Sequence, residues 1–498
     1  MDKYEILRPV SFGERVAEEE TDLLATYFVE TDQWNRLFRG EIDVIYGPKG
    51  SGKSALYSLL LNKSGELFDR GILLTAAENP RGATAFRDIA TDPPVSEREF
   101  VGLWKLYIAS LLHSALVDFG IRNDEAAQLE SALKREGLVK GKLNLSGLLQ
   151  TVFGYIRRAF RPQSLEGTLN IDPITQLPQG FTGKITFSEP GTAVGTDPEL
   201  RSVDTLLKLA NDALSNAGVH AWVLLDRLDV AFAENAELES NALRALFRVY
   251  LDLGALPNVT IKIFLRTDIW ARITSQGFRE ASHITRHVTI SWNRSSLLNL
   301  VVRRSIHNPS IRTAYGIPDD LPRRSVVEQE EFFYRLCPDQ VEVGPNKPKT
   351  FEWLLSRTKD GTQSNAPREL IHFLNSLRGV QVKRFEVGEP VPEGEQLFSR
   401  PAFKEALPEV SQVRLEQTLY AEYPELKGWL EELKGAKTLQ TPATLSGVWG
   451  ISEEEAMVRA NQLAAVGFFE KRGAMQSPEF WVPFLYRDAL DMVQGAAE

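Results

Sequence analysis

Cysteine is almost absent from this chain. Cys337 stands alone among 498 residues, which excludes an internal disulfide and fits a reducing compartment. Histidine is scarce as well: of the six present only His283 and His287 stand at His-x-x-x-His spacing, and with no Cys-x-x-Cys pair beside them no metal site is expected. An excess of basic residues is also missing. With 57 Lys and Arg against 67 Asp and Glu, the formal charge is −10, which argues against broad adhesion to nucleic acid or anionic membrane while leaving room for a local basic groove. The start, Met1-Asp2-Lys3-Tyr4-Glu5, lacks the basic-then-apolar pattern of a signal peptide. The most apolar long stretch, Phe100 to Phe119, carries Lys105 and His113 on an amphipathic repeat and predicts a core helix rather than a membrane span. No internal repeat, heptad array or low-complexity tract is found. A cytoplasmic protein with no membrane partner is expected.

What is present is sharper. Gly47-Pro48-Lys49-Gly50-Ser51-Gly52-Lys53-Ser54 is a complete G-x-x-x-x-G-K-[ST] loop. The apolar run Ile42 to Tyr46 predicts a strand before it, and Ser54 to Leu61 an apolar helix after it. Glycines let consecutive N–H groups wrap around phosphate oxygens, and the helix N-terminus adds partial positive charge. Lys53 is expected to reach the β- and γ-phosphates of ATP, and the Ser54 hydroxyl to ligate Mg²⁺. A chance loop of this form arises in roughly one or two chains in a hundred of this length, before the flanks are counted.

Residues 11 to 40 read as a lead-in loop and helix. Strands are expected at Gly71 to Thr75, Ala221 to Leu225, Thr260 to Leu265 and His287 to Ile290, with helices at Phe100 to Phe119, Glu125 to Glu136 and Val203 to Asn216. This alternation predicts an α/β fold with a parallel sheet covered by helices. A stretch rich in Pro, Gly and Thr at about 161–200 predicts a β-rich insertion. Leu225 is followed by Asp226-Arg227-Leu228-Asp229, the form of a Walker B segment: Asp226 is the expected Mg²⁺-side carboxylate. Asp229 either orients the attacking water or caps the next helix. The strand at 260–265 ends in Arg266-Thr267-Asp268, where Arg266, with Asp268 second, is the candidate γ-phosphate sensor; a salt-bridged turn is the alternative. Arg272, Arg279 and Arg286 follow, and Arg286 is favoured as an arginine acting in trans on a neighbouring subunit, against an ordinary solvated face.

Ser364-Asn365-Ala366-Pro367-Arg368 opens an amphipathic helix, with Pro in its first turn. After a Gly- and Pro-containing stretch near 387–401, the pattern is helix (Leu415 to Leu433), short helix (Pro442 to Trp449), helix (Ser452 to Val466), the segment Gly467 to Gly473, and an apolar strand Phe480 to Pro483. The last long helix opens with Glu453-Glu454-Glu455 and brings only Arg459 as a cation, which disfavours insertion into DNA; contact with protein or autoinhibition is expected first, contact with DNA through Lys471 and Arg472 second.

In that order, the phosphate loop, Asp226 with Asp229, Arg266, Arg368 and three helices with a terminal hairpin resemble a STAND or initiator-like AAA+ ATPase. More narrowly, Phe12-Gly13, Glu18-Glu19-Glu20, Tyr27 to Thr31, the loop, Asp226 to Asp229 and Pro483 to Arg487 resemble a bacterial P-loop ATPase family with a C-terminal winged-helix domain. The resemblance implies a P-loop NTPase core at 1–295, a helical lid at 296–390 and a winged-helix-like domain at 400–498. Arg368 is then the sensor-2 arginine, although Ala366 stands directly before Pro367 where the family usually carries Gly two positions before the Arg. It further implies an ATP- and Mg²⁺-dependent switch, homo-oligomeric or paired with a separate effector protein, with antiphage defence as one setting. A DNA-engaging initiator or loader is the alternative. A P-loop phosphotransferase fits the length poorly, and Leu145-Ser146-Gly147 lacks the Gly-Gln of an ABC signature.

Overall fold

A computed structural model describes residues 2–14, 20, 24–77, 96–139, 144–159, 202–228, 236–474 and 476–497. The expected insertion at 161–200 and Asp229 lie outside them. The chain forms two compact units, one of Met1–Asn35, Gly47–Ala55 and Ile290–Glu498, the other of Arg36–Tyr46 and Leu56–Thr289.

The second of these is built on a five-stranded sheet. Its strands are β1 (Val44–Gly47), β2 (Ile72–Ala76), β3 (His220–Leu225), β4 (Val259–Arg266) and β5 (His287–Thr289), in the order β2-β3-β4-β1-β5. The pairs β2/β3, β3/β4 and β1/β5 are parallel, with Leu225 opposite Ile263 and Tyr46 opposite Thr289. Strands covered on both faces read as continuous apolar runs, and β3 is buried from Ala221 to Leu225. The apolar stretch near residue 100 forms the helix Glu97–Asp118, started by the Ser96 side chain accepting from Glu99 N–H. It is the one described helix long and apolar enough to cross a membrane, and 78% of that window is buried within the protein. Three of its polar side chains are partnered there: Trp104 Nε1 donates to Ala242 O at 2.8 Å, Tyr107 OH to Ala77 O at 2.7 Å, and Lys105 pairs with Asp204 at 2.8 Å and Asp252 at 2.6 Å.

The other unit has its own core, in which Trp353, Phe373 and Phe403 stand 6.1 Å apart, ring centre to ring centre. Helices Arg294–Ile306, Val326–Leu336, Thr350–Thr358, Pro367–Glu386 and Arg400–Arg414 surround it. Beyond them lie the short helix Lys427–Glu431, β6 (Lys437–Gln440), helices Pro442–Trp449 and Glu453–Ala465, and the hairpin of β7 (Glu470–Ala474) and β8 (Ser477–Trp481), with β9 (Val493–Ala496) last. Their sheet runs β7-β8-β6-β9. Helix, strand, two helices and a hairpin is the winged-helix order.

Two details differ from the sequence expectation. The single helix expected from Leu415 to Leu433 is a π-helical turn at Leu415–Tyr420, a 3₁₀ turn at Pro424–Leu426 and then Lys427–Glu431, because Pro424 has no N–H with which to continue the helix. Strand β6 was not expected. Its inward residues are Thr438 and Gln440, 2% and 1% exposed, so no apolar alternation marks it.

Candidate functional site: a phosphate loop under a helix N-terminus

The glycines give the loop its shape. Gly50 and Gly52 have φ of +78° and +100°, values that side-chain-bearing residues rarely adopt, and Ser51 N–H donates to Pro48 O at 3.2 Å across the turn. Lys53 opens the helix Lys53–Asn62, and its Nζ donates to Gly47 O at 2.9 Å and Pro48 O at 3.1 Å, so the ammonium sits inside the ring of the loop. Ser51 is 1% exposed, and its Oγ is buried with no hydrogen-bond partner. A methyl at Gly47 would collide with that Oγ.

Two further segments of the same unit close on the loop. Trp292 Nε1 donates to Ser51 O at 2.8 Å, with the indole beside Gly52. The helix Pro367–Glu386 begins over Gly50: a Cβ there would stand 3.1 Å from Arg368 Cβ and 3.4 Å from Ala366 Cβ. Arg368 is thus beside the loop, and the small side chain of Ala366 matches the space. Lys49 forms an ion pair with Glu422. No motif in the sequence marks Trp292 or Glu422.

In the sheet unit, Asp226 follows the last residue of β3 and is 4% exposed; Arg227 beside it has φ +57°. On the adjacent strand, Arg266 ends β4 and is held by Asp268 in a two-pronged contact, Nε to Oδ1 at 3.0 Å and Nη2 to Oδ2 at 2.7 Å. The first and second candidates for a γ-phosphate sensor are therefore each other's partners. Since β3 and β4 are parallel, Asp226 and Arg266 share the carboxyl edge of the sheet, where α/β sheets bind ligands.

Arg286 lies at the opposite edge. Its Nε pairs with Asp43 Oδ2 at 2.7 Å, just ahead of β1. Asp43 also accepts from Tyr250 OH at 3.2 Å and from Lys262 Nζ at 2.8 Å, and Lys262, wholly buried, lies 4.3 Å from the centre of the Trp222 ring. Burial lowers the Lys262 pKa, opposed by Asp43. Arg272 pairs with Glu239, and Arg279 is exposed. Among the described residues no group of three or more His, Cys, Asp or Glu side chains is disposed to hold a metal on its own.

The residues of the loop fit a nucleotide. The positive-φ glycines, the buried and unbonded Ser51 hydroxyl and the enclosed ammonium are what a phosphate chain needs: backbone N–H groups, a hydroxyl and a fixed cation.

No protein family and no curated protein matches this sequence. Solved structures similar in chain course include the Aeropyrum pernix ORC1 protein in complex with DNA, at 11% identity and TM-score 0.38, covering 99% of this chain and 97% of that one. The Aeropyrum pernix ORC2 protein in its ADPNP–ADP complexes shows 12% identity and TM-score 0.40, over 94% and 92%. CDC6P from Pyrobaculum aerophilum shows 11% and 0.28, over 98% and 97%.

Proposed function

We propose that this chain is an ATP-binding and ATP-hydrolysing switch of the STAND/AAA+ type that acts on a protein partner. The observation that carries the reading is the loop itself, with Lys53 enclosed and Arg368 laid over Gly50. Backbone N–H groups of Gly50, Ser51, Gly52, Lys53 and Ser54 are proposed to hold the phosphates, with Gly47, Pro48 and Lys49 shaping the loop. Ser54 and Asp226 are proposed for Mg²⁺, which when bound neutralises charge on the β- and γ-phosphates. Lys53 and Arg368 offset further charge, Arg266 senses the terminal phosphate, and Asp229 orients water. In this reading residues 1–295 form the ATPase core, 296–390 the lid and 400–498 the winged-helix-like domain. Arg286 acts in trans on a neighbouring copy, and the output lies in a separate effector chain, with antiphage defence as the setting the resemblance implies.

The second reading, a DNA-engaging ATPase, is favoured by the winged-helix order of the C-terminal elements and by Lys471 and Arg472 on its hairpin. Both readings share the nucleotide site. The test is ATP turnover per subunit across a protein concentration series, with Lys53→Ala as the blank. Turnover that rises with concentration and vanishes in Lys53→Ala is expected. Absence of both nucleotide binding and turnover in the wild-type chain would sink the reading.

A further inference from the structure

One short stretch of the C-terminal region meets the phosphate loop at Lys49 and, through Glu369, holds the helix start that lies over Gly50. At its start, Arg414 is buried and donates from Nη1 to Glu369 Oε1 at 2.8 Å, with Asp360 Oδ2 at 3.5 Å and Tyr486 OH at 3.4 Å. Burial opposes the charge on Arg414, yet Tyr486, Glu369 and Asp360 together keep the guanidinium protonated. Glu369 is the residue after Arg368, so Arg414 fixes the turn that places Arg368 over Gly50. The helix then widens into the π turn Leu415–Tyr420, a geometry frequent at functional sites, and Leu415 and Leu419 are anchored in the core, 2% and 1% exposed. Two residues beyond the π turn, Glu422 meets Lys49 at the crest of the loop, the side chains being 15% and 28% exposed.

A carboxylate held against a phosphate-loop lysine offers that lysine what a phosphate would offer: oxygen acceptors bearing negative charge. Resting on the nucleotide site proposed above, we infer that Glu422 is a positioning residue acting through Lys49, a built-in competitor for the terminal phosphate. Two consequences follow from charge alone. The triphosphate, carrying more charge at the competed end, is penalised more than the diphosphate. When the triphosphate draws Lys49 away, the Arg414–Glu422 stretch loses one of its holds on the loop, so nucleotide state is communicated to the C-terminal region.

The test is calorimetric titration of the full chain with ADP and with adenylyl imidodiphosphate. Glu422→Gln is expected to tighten the triphosphate analogue about fivefold more than ADP, the low end of coupling between sites. The same substitution in a Lys49→Gln background is expected to change neither, because the competition runs through that lysine. Glu422→Asp, which keeps the charge on a shorter arm, is expected between wild type and Gln and serves if the Gln variant folds poorly. An equal shift for both nucleotides, or a shift that persists without Lys49, overturns the inference while leaving the nucleotide site intact. If wild type binds neither nucleotide, or Lys53→Ala binds both unchanged, the nucleotide site falls and the inference with it.

Discussion

His113 lies within the apolar helix Glu97–Asp118 at 8% exposure, and its Nε2 has no hydrogen-bond partner. Burial lowers its pKa below the ordinary 6.5, with Glu130 opposing and Lys134 reinforcing that direction. In the unfolded chain the imidazole takes up a proton as pH falls through 6.5, while in the folded chain it resists until lower pH. The unfolded state therefore binds more protons in that window, and stability falls with the pH. The melting temperature is expected to drop between pH 7.5 and 5.5, and to drop less in His113→Leu; equal slopes would remove His113 as the cause. Individual residues were legible where their chemistry is local. Lys53, Ser54 and Asp226 announce themselves by the loop and by the end of an apolar strand. Trp292 and Glu422 could not be read, because their loop partners lie 241 and 373 positions away in the chain and nothing beside either residue marks it.

Gly361 shows how segments, rather than residues, lock together. It follows the helix Thr350–Thr358 and donates its N–H to Gly467 O at 2.7 Å, against the start of the C-terminal hairpin. A methyl there would stand 2.9 Å from Gly467 O and closer still to Phe469 O, both backbone atoms that cannot swing aside. Gly361→Ala is expected to cost about 1–3 kcal/mol as overpacking. A melting point lowered by several degrees in a thermal-shift assay is the expected result, and an unchanged one would mean that the hairpin moves freely against the 360–364 turn. The same contrast governs which elements could be anticipated. The helix Val203–Asn216 appears with the limits its pattern predicts, since Ser202 caps one end, accepting from Thr205 N–H, and the apolar spacing is clean. Strand β6 hides because its buried positions are Thr438 and Gln440, polar side chains that find hydrogen bonds inside the fold: Gln440 Nε2 donates to Lys437 O at 2.7 Å and its Oε1 accepts from Thr444 Oγ1 at 2.8 Å. Long-range pairing, not local preference, makes that strand.

Net charge and the use made of the C-terminal cations bear on what the chain as a whole engages. At −10, the chain has no general attraction for a polyanion, so any DNA affinity must come from a local surface. The helix Glu453–Ala465 sets three carboxylates in its first turn, where Glu455 completes a capping box with Ser452; these are favourable to the helix and repulsive to phosphate. Its one arginine, Arg459, stacks 4.6 Å from the centre of the Trp429 ring. On the hairpin, Lys471 Nζ donates to Asn461 at 2.9 Å, while Arg472 pairs with Glu470 at 2.7 Å and lies 3.9 Å from the centre of the Trp481 ring. Each of these cations already has an internal partner, so recruiting it to phosphate first breaks a contact. Replacing Lys471 and Arg472 together by Glu is therefore expected to change affinity for duplex DNA by less than about threefold, where two phosphate contacts would lower the salt slope by nearly 2 and weaken binding far more. Fluorescence anisotropy with a labelled duplex at several salt concentrations decides it. A large loss of affinity with a flattened salt slope would move the winged-helix region from protein contact to DNA contact and make the initiator-like reading the primary one.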